Sequence, residues 1–317
     1  MRQARGWQRR VRAKEESIME KIGFIGLGAM GRPMASNLTK KGFELVVYDI
    51  DPQHTASLVA LGATAAASVA ELARAVEIVV TMLPDSPDVK AVVLGPGGIA
   101  EHAREELLVM DMSTIDPAAT DELAKALAAK SLAFVDAPVG RLVSHAESGQ
   151  SLFMVGASHN DFGRVKPLLE AMGSTIHHCG KPGSGIRTKL VNNYLAILAC
   201  QVNAEALALA AAYGLDLATT LEVINGTTAT NGQLKVNWPT KVLKGDTTPG
   251  FRIALAHKDL SLAIEAARQA GVPTFVGVAA RECLGVAKRT AGYADKDFSS
   301  LLEITCRQAG IKPPRLP

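Results

Sequence analysis

The stretch IGFIGLGAMGRPMASNL, residues 22–38, narrows the fold of this chain more than any other. A short apolar, strand-forming run meets three glycines, Gly26, Gly28 and Gly31, and a helical pattern starts at once behind them. The G-x-G-x-x-G spacing is weak evidence by itself. Between a strand and a helix it has a mechanical reading. Gly26 permits the tight turn, Gly28 lets the backbone approach a pyrophosphate, and Gly31 lets helix and strand pack closely. The helix N-terminus then supplies unpaired N–H groups to the anion. Ala29 and Met30, in the same turn, count with the glycines as cofactor-binding candidates.

The chain beyond this turn has the matching pattern. From Lys21 to about residue 183, continuous apolar strands such as ELVVYD, IVVTML, LLVMDMS, AFVDAPV and LFMVGA alternate with helical patterns. This alternation predicts a parallel sheet covered on both faces, an α/β Rossmann-like doubly wound domain over 21–183. TIHHCG reads as a further strand, and the later strands extend the sheet with mixed direction. Beyond GKPGSG strand signals nearly vanish, and a long helix from near Ile186 to around Gly214 opens an all-α domain over 184–317. That helix is apolar nearly all round, which predicts burial on most faces. Residues 1–20 are basic and carry no fold signal, and they are expected to be a disordered extension or the product of a mis-assigned start.

Asp49 ends the second strand about 20 residues beyond the glycine turn, where a carboxylate accepts from the ribose hydroxyls of NAD and repels a 2′-phosphate. No arginine follows it closely to favour NADP, so NAD(H) is the expected cofactor. Leu83 and Pro84, at the exit of the third strand, are expected to wall the cofactor crevice. Ser113 and Thr114 reach the same edge from the fourth, Ser113 toward substrate and Thr114 toward cofactor.

On the long helix, Lys189, Asn192, Asn193 and Ala196 fall at i, i+3, i+4 and i+7 and form one stripe. Polar groups on so apolar a helix need partners, and a ligand at the domain boundary would supply them. A desolvated lysine has a lowered pKa, so Lys189 suits proton delivery to the alkoxide formed when an aldehyde is reduced. Arg141 raises a different question. It sits in a turn of small residues, DAPVGR, where a long charged side chain has no evident structural use. On the residues alone Lys258 and Asp259 read nearly as well as a surface salt bridge as they do as a functional pair.

Composition excludes other classes. A net charge of +3 is too small to argue for nucleic acid or an anionic membrane as partner. No uninterrupted apolar run reaches the roughly 18 to 20 residues of a bilayer span. The cysteines Cys179, Cys200, Cys283 and Cys306 are too scattered for a disulfide framework or a zinc site. No metal is expected, and free thiols point to a reducing, cytoplasmic setting. The alanine-rich C-terminal helices suggest a homodimer or homotetramer.

Taken in order, GFIGLGAMGRPMASNL, DMSTIDP, DAPVG, GSGIRTKLVNNY and HKDL resemble the β-hydroxyacid dehydrogenase family, which includes 3-hydroxyisobutyrate dehydrogenase. They span about residues 21–310. The resemblance implies an NAD-dependent oxidoreductase acting on a CH–OH group, with Lys189 catalytic and Lys258 reaching the cofactor. In that family the loop after DAPV reads Ser-Gly-Gly and binds a carboxylate through its N–H groups. Here Gly140 and Arg141 follow instead. That departure is similar to the branch of the family that reduces 3-sulfolactaldehyde to 2,3-dihydroxypropane-1-sulfonate, in which Arg141 and Asn192 would grip the sulfonate, with Gly140 and Asn193 beside them. Ala196 stands where that branch has a serine. A carboxylate aldehyde therefore stays open, with succinate semialdehyde, 3-hydroxyisobutyrate and tartronate semialdehyde chemistry as alternatives. A silent dinucleotide-binding module is the non-enzyme alternative, and a costly buried lysine argues against it.

Overall fold

The computed structural model describes residues 20–317. The expectation of a basic extension therefore lies outside the described residues, except for Glu20, whose carboxylate accepts from Arg164 at 2.7 Å.

Strands β1 (Ile22–Ile25), β2 (Leu45–Tyr48), β3 (Thr64–Ala65), β4 (Ile78–Thr81), β5 (Leu108–Asp111) and β6 (Ala133–Asp136) run parallel in the order β3-β2-β1-β4-β5-β6. This is the doubly wound Rossmann order, and its reversal point between β1 and β4 opens a crevice at the carboxyl ends of the strands. The sheet continues through β7 (Val139–Gly140), β8 (Ser151–Gly156) and β9 (Gly173–Gly180). β8 is antiparallel to β6 and β7, and β9 is parallel to β8, giving the mixed extension expected. AFVDAPV does not form one strand. It breaks at Ala137–Pro138, because proline has no N–H to offer a ladder, and Val139 and Gly140 pair with Phe153 and Leu152 instead.

Helices cover both faces. On one side α1 (Gly31–Lys40), α2 (Pro52–Val59) and the distant α8 seal a layer containing Phe24, Met34, Val47, Leu58, Met110 and Phe153. On the other, α3 (Val69–Ala75), α4 (Ser86–Leu94), α5 (Ile99–His102) and α6 (Pro117–Ala128) bury Ile25, Leu72, Val79, Val109 and Leu123. A short helix, α7 (Val143–Glu147), follows the Arg141 turn. α8 itself (His159–Met172) carries Pro167 inside it. Buried Val165, Leu168, Leu169 and Met172 hold it to the sheet all the same.

The second domain is built on α9 (Ser184–Ala212), with α10 (Leu217–Asn225), α11 (Ile253–Gln269), α12 (Phe275–Arg289) and α13 (Leu301–Gln308) around a core centred on fully buried Trp238. α9 corrects one expectation. It is not buried on most faces, since Val191 is 66% exposed, Leu195 65% and Val202 54%. It also has the length and apolar content of a bilayer span, although Lys189, Asn193, Gln201 and Asn203 are buried along it. An all-round apolar pattern asks for cover on every side, and the chain itself covers only one.

One buried carboxylate ties the start of the second half to the first. Asp136, at the end of β6, accepts from Gly183 N at 2.6 Å and from Ile186 N at 2.7 Å, and so caps α9. The contact is close because Gly185 is glycine: a Cβ there would lie 2.3 Å from the Met154 carbonyl oxygen. Asp136→Ala leaves two buried N–H groups unpaired and is expected to lower stability by about 2–4 kcal/mol in urea unfolding. Burial, against the pull of those N–H groups, raises the Asp136 carboxyl from 3.8 to about 6. The folded state thus holds this proton more tightly than the unfolded one. Its contribution is complete below an ordinary carboxylate pKa and is lost as the pH rises through about 6, a slope that Asp136→Asn should flatten.

Candidate active site

The crevice at the β1–α1 turn is shaped by its glycines. Gly26 has φ +94°, and a Cβ on it would lie 2.3 Å from the Met82 carbonyl oxygen. At Gly31 a Cβ would lie 1.9 Å from the Gly26 oxygen, so only glycine lets α1 start so close to the strand. Gly28 differs, because no atom lies within 4 Å of where its Cβ would be. A side chain there would fill the cradle rather than strike the protein. No side chain caps the N-terminus of α1 after Ala29 and Met30, which leaves its first N–H groups to an anion. Asp49 stands across this turn, accepting from Leu27 N at 2.7 Å and Asp51 N at 2.9 Å. Burial works to raise the Asp49 carboxyl, but these bonds and His54 outweigh it and hold it below its usual value. An open cradle, an uncapped helix and an ionised carboxylate are the fittings a dinucleotide needs.

The opposite wall comes from the helical domain. Lys258, on α11, reaches across to donate to the carbonyls of Pro84 at 3.0 Å and Thr114 at 2.6 Å. Two strand-exit turns singled out in the sequence are therefore tied to one lysine. Ser113 braces these turns: its hydroxyl donates to Asp111 at 2.6 Å and accepts from Leu83 N at 2.9 Å.

Lys189 is buried and donates to the Val139 carbonyl at 2.6 Å, next to Gly140. Burial lowers its pKa, Asp259 opposes that and Lys258 adds to it. Asn193 donates to Asp259 at 2.8 Å, Asn192 donates to Asn193 at 3.1 Å, and Asp259 also pairs with Lys258 at 3.4 Å. The polar stripe of α9 is thus wired into α11. Ala196 gives only its carbonyl, which accepts from Gln233 at 3.3 Å. An ammonium held this way beside a strand-end crevice can polarise a carbonyl and release a proton to the oxygen that forms.

Arg141 has φ +72°, a left-handed conformation that suits glycine. Its guanidinium donates to Gln150 O at 2.6 Å, Ser174 Oγ at 3.1 Å and Thr175 Oγ1 at 3.2 Å. It shares the loop of Val139 with Lys189 but does not touch Lys189 or Asn192 in this arrangement.

Three carboxylates of this region were absent from the sequence-based candidates. Asp136 ends a buried strand, Asp259 follows Lys258 in an apolar turn, and Asp111 gathers Thr81 and Ser113 at 2.8 and 2.6 Å. An aspartate closing an otherwise apolar strand was the available signal.

Comparison with known proteins agrees with this geometry. Residues 21–180 match the family described as the NAD binding domain of 6-phosphogluconate dehydrogenase. Residues 183–305 match the NAD-binding domain of NADP-dependent 3-hydroxyisobutyrate dehydrogenase. The chain is 43% identical to 3-sulfolactaldehyde reductase of Escherichia coli over 92% of its own length and 98% of the relative's. It is 36% identical to 2-(hydroxymethyl)glutarate dehydrogenase of Eubacterium barkeri, over 94% and 98%. Among solved structures, 3-hydroxyisobutyrate dehydrogenase of Mycobacterium tuberculosis, solved with L-serine, superposes with a TM-score of 0.83 at 31% identity, covering 90% of this chain and 99% of that one. With the Rossmann sheet, the helical second domain and the strand-end crevice between them, these matches place the chain in the 3-hydroxyisobutyrate dehydrogenase family of NAD-dependent oxidoreductases, which act on CH–OH groups.

Proposed function

We propose that this chain reduces 3-sulfolactaldehyde to 2,3-dihydroxypropane-1-sulfonate, with Lys189 supplying the proton. NADH, when bound, supplies the hydride. Lys189 polarises the aldehyde oxygen and protonates it as negative charge develops, while Asn193, fixed by Asp259, holds the amine in register. Asp49 takes the ribose hydroxyls, and the N-terminus of α1 takes the pyrophosphate.

The observation that carries the sulfonate is Arg141. A non-glycine residue in the left-handed region costs on the order of 1 kcal/mol. Among the described residues its guanidinium meets only neutral oxygens and no carboxylate. A cation with no carboxylate partner, held in a strained backbone conformation on the loop that contacts Lys189, supports an anionic group in the substrate. A guanidinium fork matches the oxygens of a permanently ionised sulfonate. Engaging it requires the side chain to leave Gln150, Ser174 and Thr175, and Asn192 is exposed beside the stripe to share the load. The likeness to the E. coli reductase supports this reading. A second reading, a short carboxylate aldehyde, draws on Ala196, which offers no hydroxyl to a third anionic oxygen.

We further propose that a second copy of this chain covers α9. Val191, Leu195, Val202 and Leu209 are all exposed, and their spacing of four, seven and seven makes one stripe. Four free cysteines accord with a cytoplasmic setting.

Four outcomes are expected. Lys189→Ala should lower kcat about 10²- to 10⁴-fold and leave NADH binding intact. In the wild type, reduction should fall as the pH rises through a pKa below the ordinary lysine value, because burial makes Lys189 lose its proton early. Arg141→Gly removes the backbone strain, so the fold should be kept. Its kcat/KM for 3-sulfolactaldehyde should drop about 10- to 100-fold, with little change for succinate semialdehyde. An unchanged ratio moves the substrate to the carboxylate. Leu195→Glu combined with Val202→Glu should convert a dimer or tetramer to monomer in light scattering, and a monomeric wild type refutes the covered stripe.

A further inference from the structure

Asp49 has fewer open acceptor positions than a ribose diol requires. A carboxylate offers about four lone-pair positions over its two oxygens. Oδ1 accepts from Asp51 N at 2.9 Å and faces His54 Nδ1 at 3.1 Å. Oδ2 accepts from Leu27 N at 2.7 Å. An ionised carboxylate only accepts, so the hydrogen of the histidine contact sits on Nδ1. Three positions are taken, and a diol that donates both hydroxyls needs two. The Leu27 and Asp51 donors are backbone groups of the turns themselves and stay in place. His54 is a half-exposed side chain in the first turn of α2, free to rotate away.

We propose that His54 is a specificity-determining residue that competes with the ribose of the dinucleotide for Asp49, which makes cofactor affinity depend on pH. While the ring is neutral, its rotation opens the second acceptor position, and the diol replaces one neutral donor with another. Once protonated, the ring is held by two carboxylates, Asp49 at 3.1 Å and Asp51 at 3.7 Å. It then blocks the position and offsets the charge that draws the hydroxyls in. The elements packed against α2 are α1, β2 and β3. Their charged and titratable groups are Arg32 and Lys40 on α1 and Tyr48 on β2, and none of them bonds to His54. The two aspartates on its own turn therefore set its behaviour. Affinity is high while the ring is neutral and falls on the acid side, where the ring carries a proton.

This inference rests on Asp49 as the ribose acceptor, and one experiment separates the two. The equilibrium Kd for NADH is measured by its fluorescence, without substrate, from about pH 8 to about pH 5.5. Wild type should weaken about threefold to tenfold toward acid, the worth of one hydrogen bond. His54→Ala should bind as tightly as wild type or tighter at the alkaline end and stay flat. His54→Gln keeps a neutral donor, so it should also be flat, with a Kd between the other two at the acid end. The same acid weakening in His54→Ala, or weaker binding by His54→Ala at every pH, overturns the proposal. Asp49→Asn should weaken NADH at all pH values. If it leaves Kd unchanged, the ribose assignment itself has failed. If Asp49→Asn weakens binding while wild type shows no pH dependence, only the role of His54 has failed.

Discussion

The Asp136 carboxylate is the contact on which the geometry of the site depends. It closes β6 and at the same time caps α9 through the N–H groups of Gly183 and Ile186. Lys189 follows Ile186 by one turn, and Val139 follows Asp136 by three residues. The lysine therefore meets the Val139 carbonyl because the start of its helix is pinned to the strand that precedes that loop. Two glycines make the approach possible: at Gly156 a Cβ would lie 2.2 Å from Asp136 Oδ1, and at Gly185 one would lie 2.3 Å from the Met154 oxygen. Buried charge this close to a joint is unfavourable unless its bonds are complete, and here both oxygens have donors.

Around that joint cations and buried carboxylates lie close together. Lys189 and Lys258 share a single buried carboxylate, Asp259, which burial raises and the two lysines and Asn193 pull back. Lys258 offsets its own desolvation by donating to two backbone carbonyls of the first domain, so one side chain joins the domains and shapes the cofactor wall. Arg141 adds a third cation on the loop whose Val139 carbonyl meets Lys189.

Much of the fold could be read along the chain because its signals are local. Glycine spacing, continuous apolar strands and helical periodicity all act over a few residues, and they mark out β1 to β6 and the long helix. Where tertiary packing overrides a local rule, the reading fails. α8 keeps Pro167 inside it, since its buried leucines outweigh one missing N–H. Pro138 cut AFVDAPV in two, and the pairing of Val139 with Phe153 is visible only once β8 folds back. The apolar surround of α9 predicts burial all round, whereas the chain covers one side and leaves Val191, Leu195 and Val202 exposed.

The site divides the same way. Residue type and spacing were enough to nominate the glycine cradle, Asp49, Lys189, the asparagines and Arg141, because each owes its chemistry to itself or to near neighbours. Partners came from the tertiary structure alone. It turned the Ser113 hydroxyl inward, drew Lys258 across the cleft, bound the Arg141 guanidinium to Gln150, Ser174 and Thr175, and placed His54 on Asp49. The sequence by itself determined which chemical groups this protein owns and the order in which its elements form. Which groups meet was left to the packed fold, because hydrogen bonds and charge pairs act over a few ångströms between residues that lie far apart in the chain.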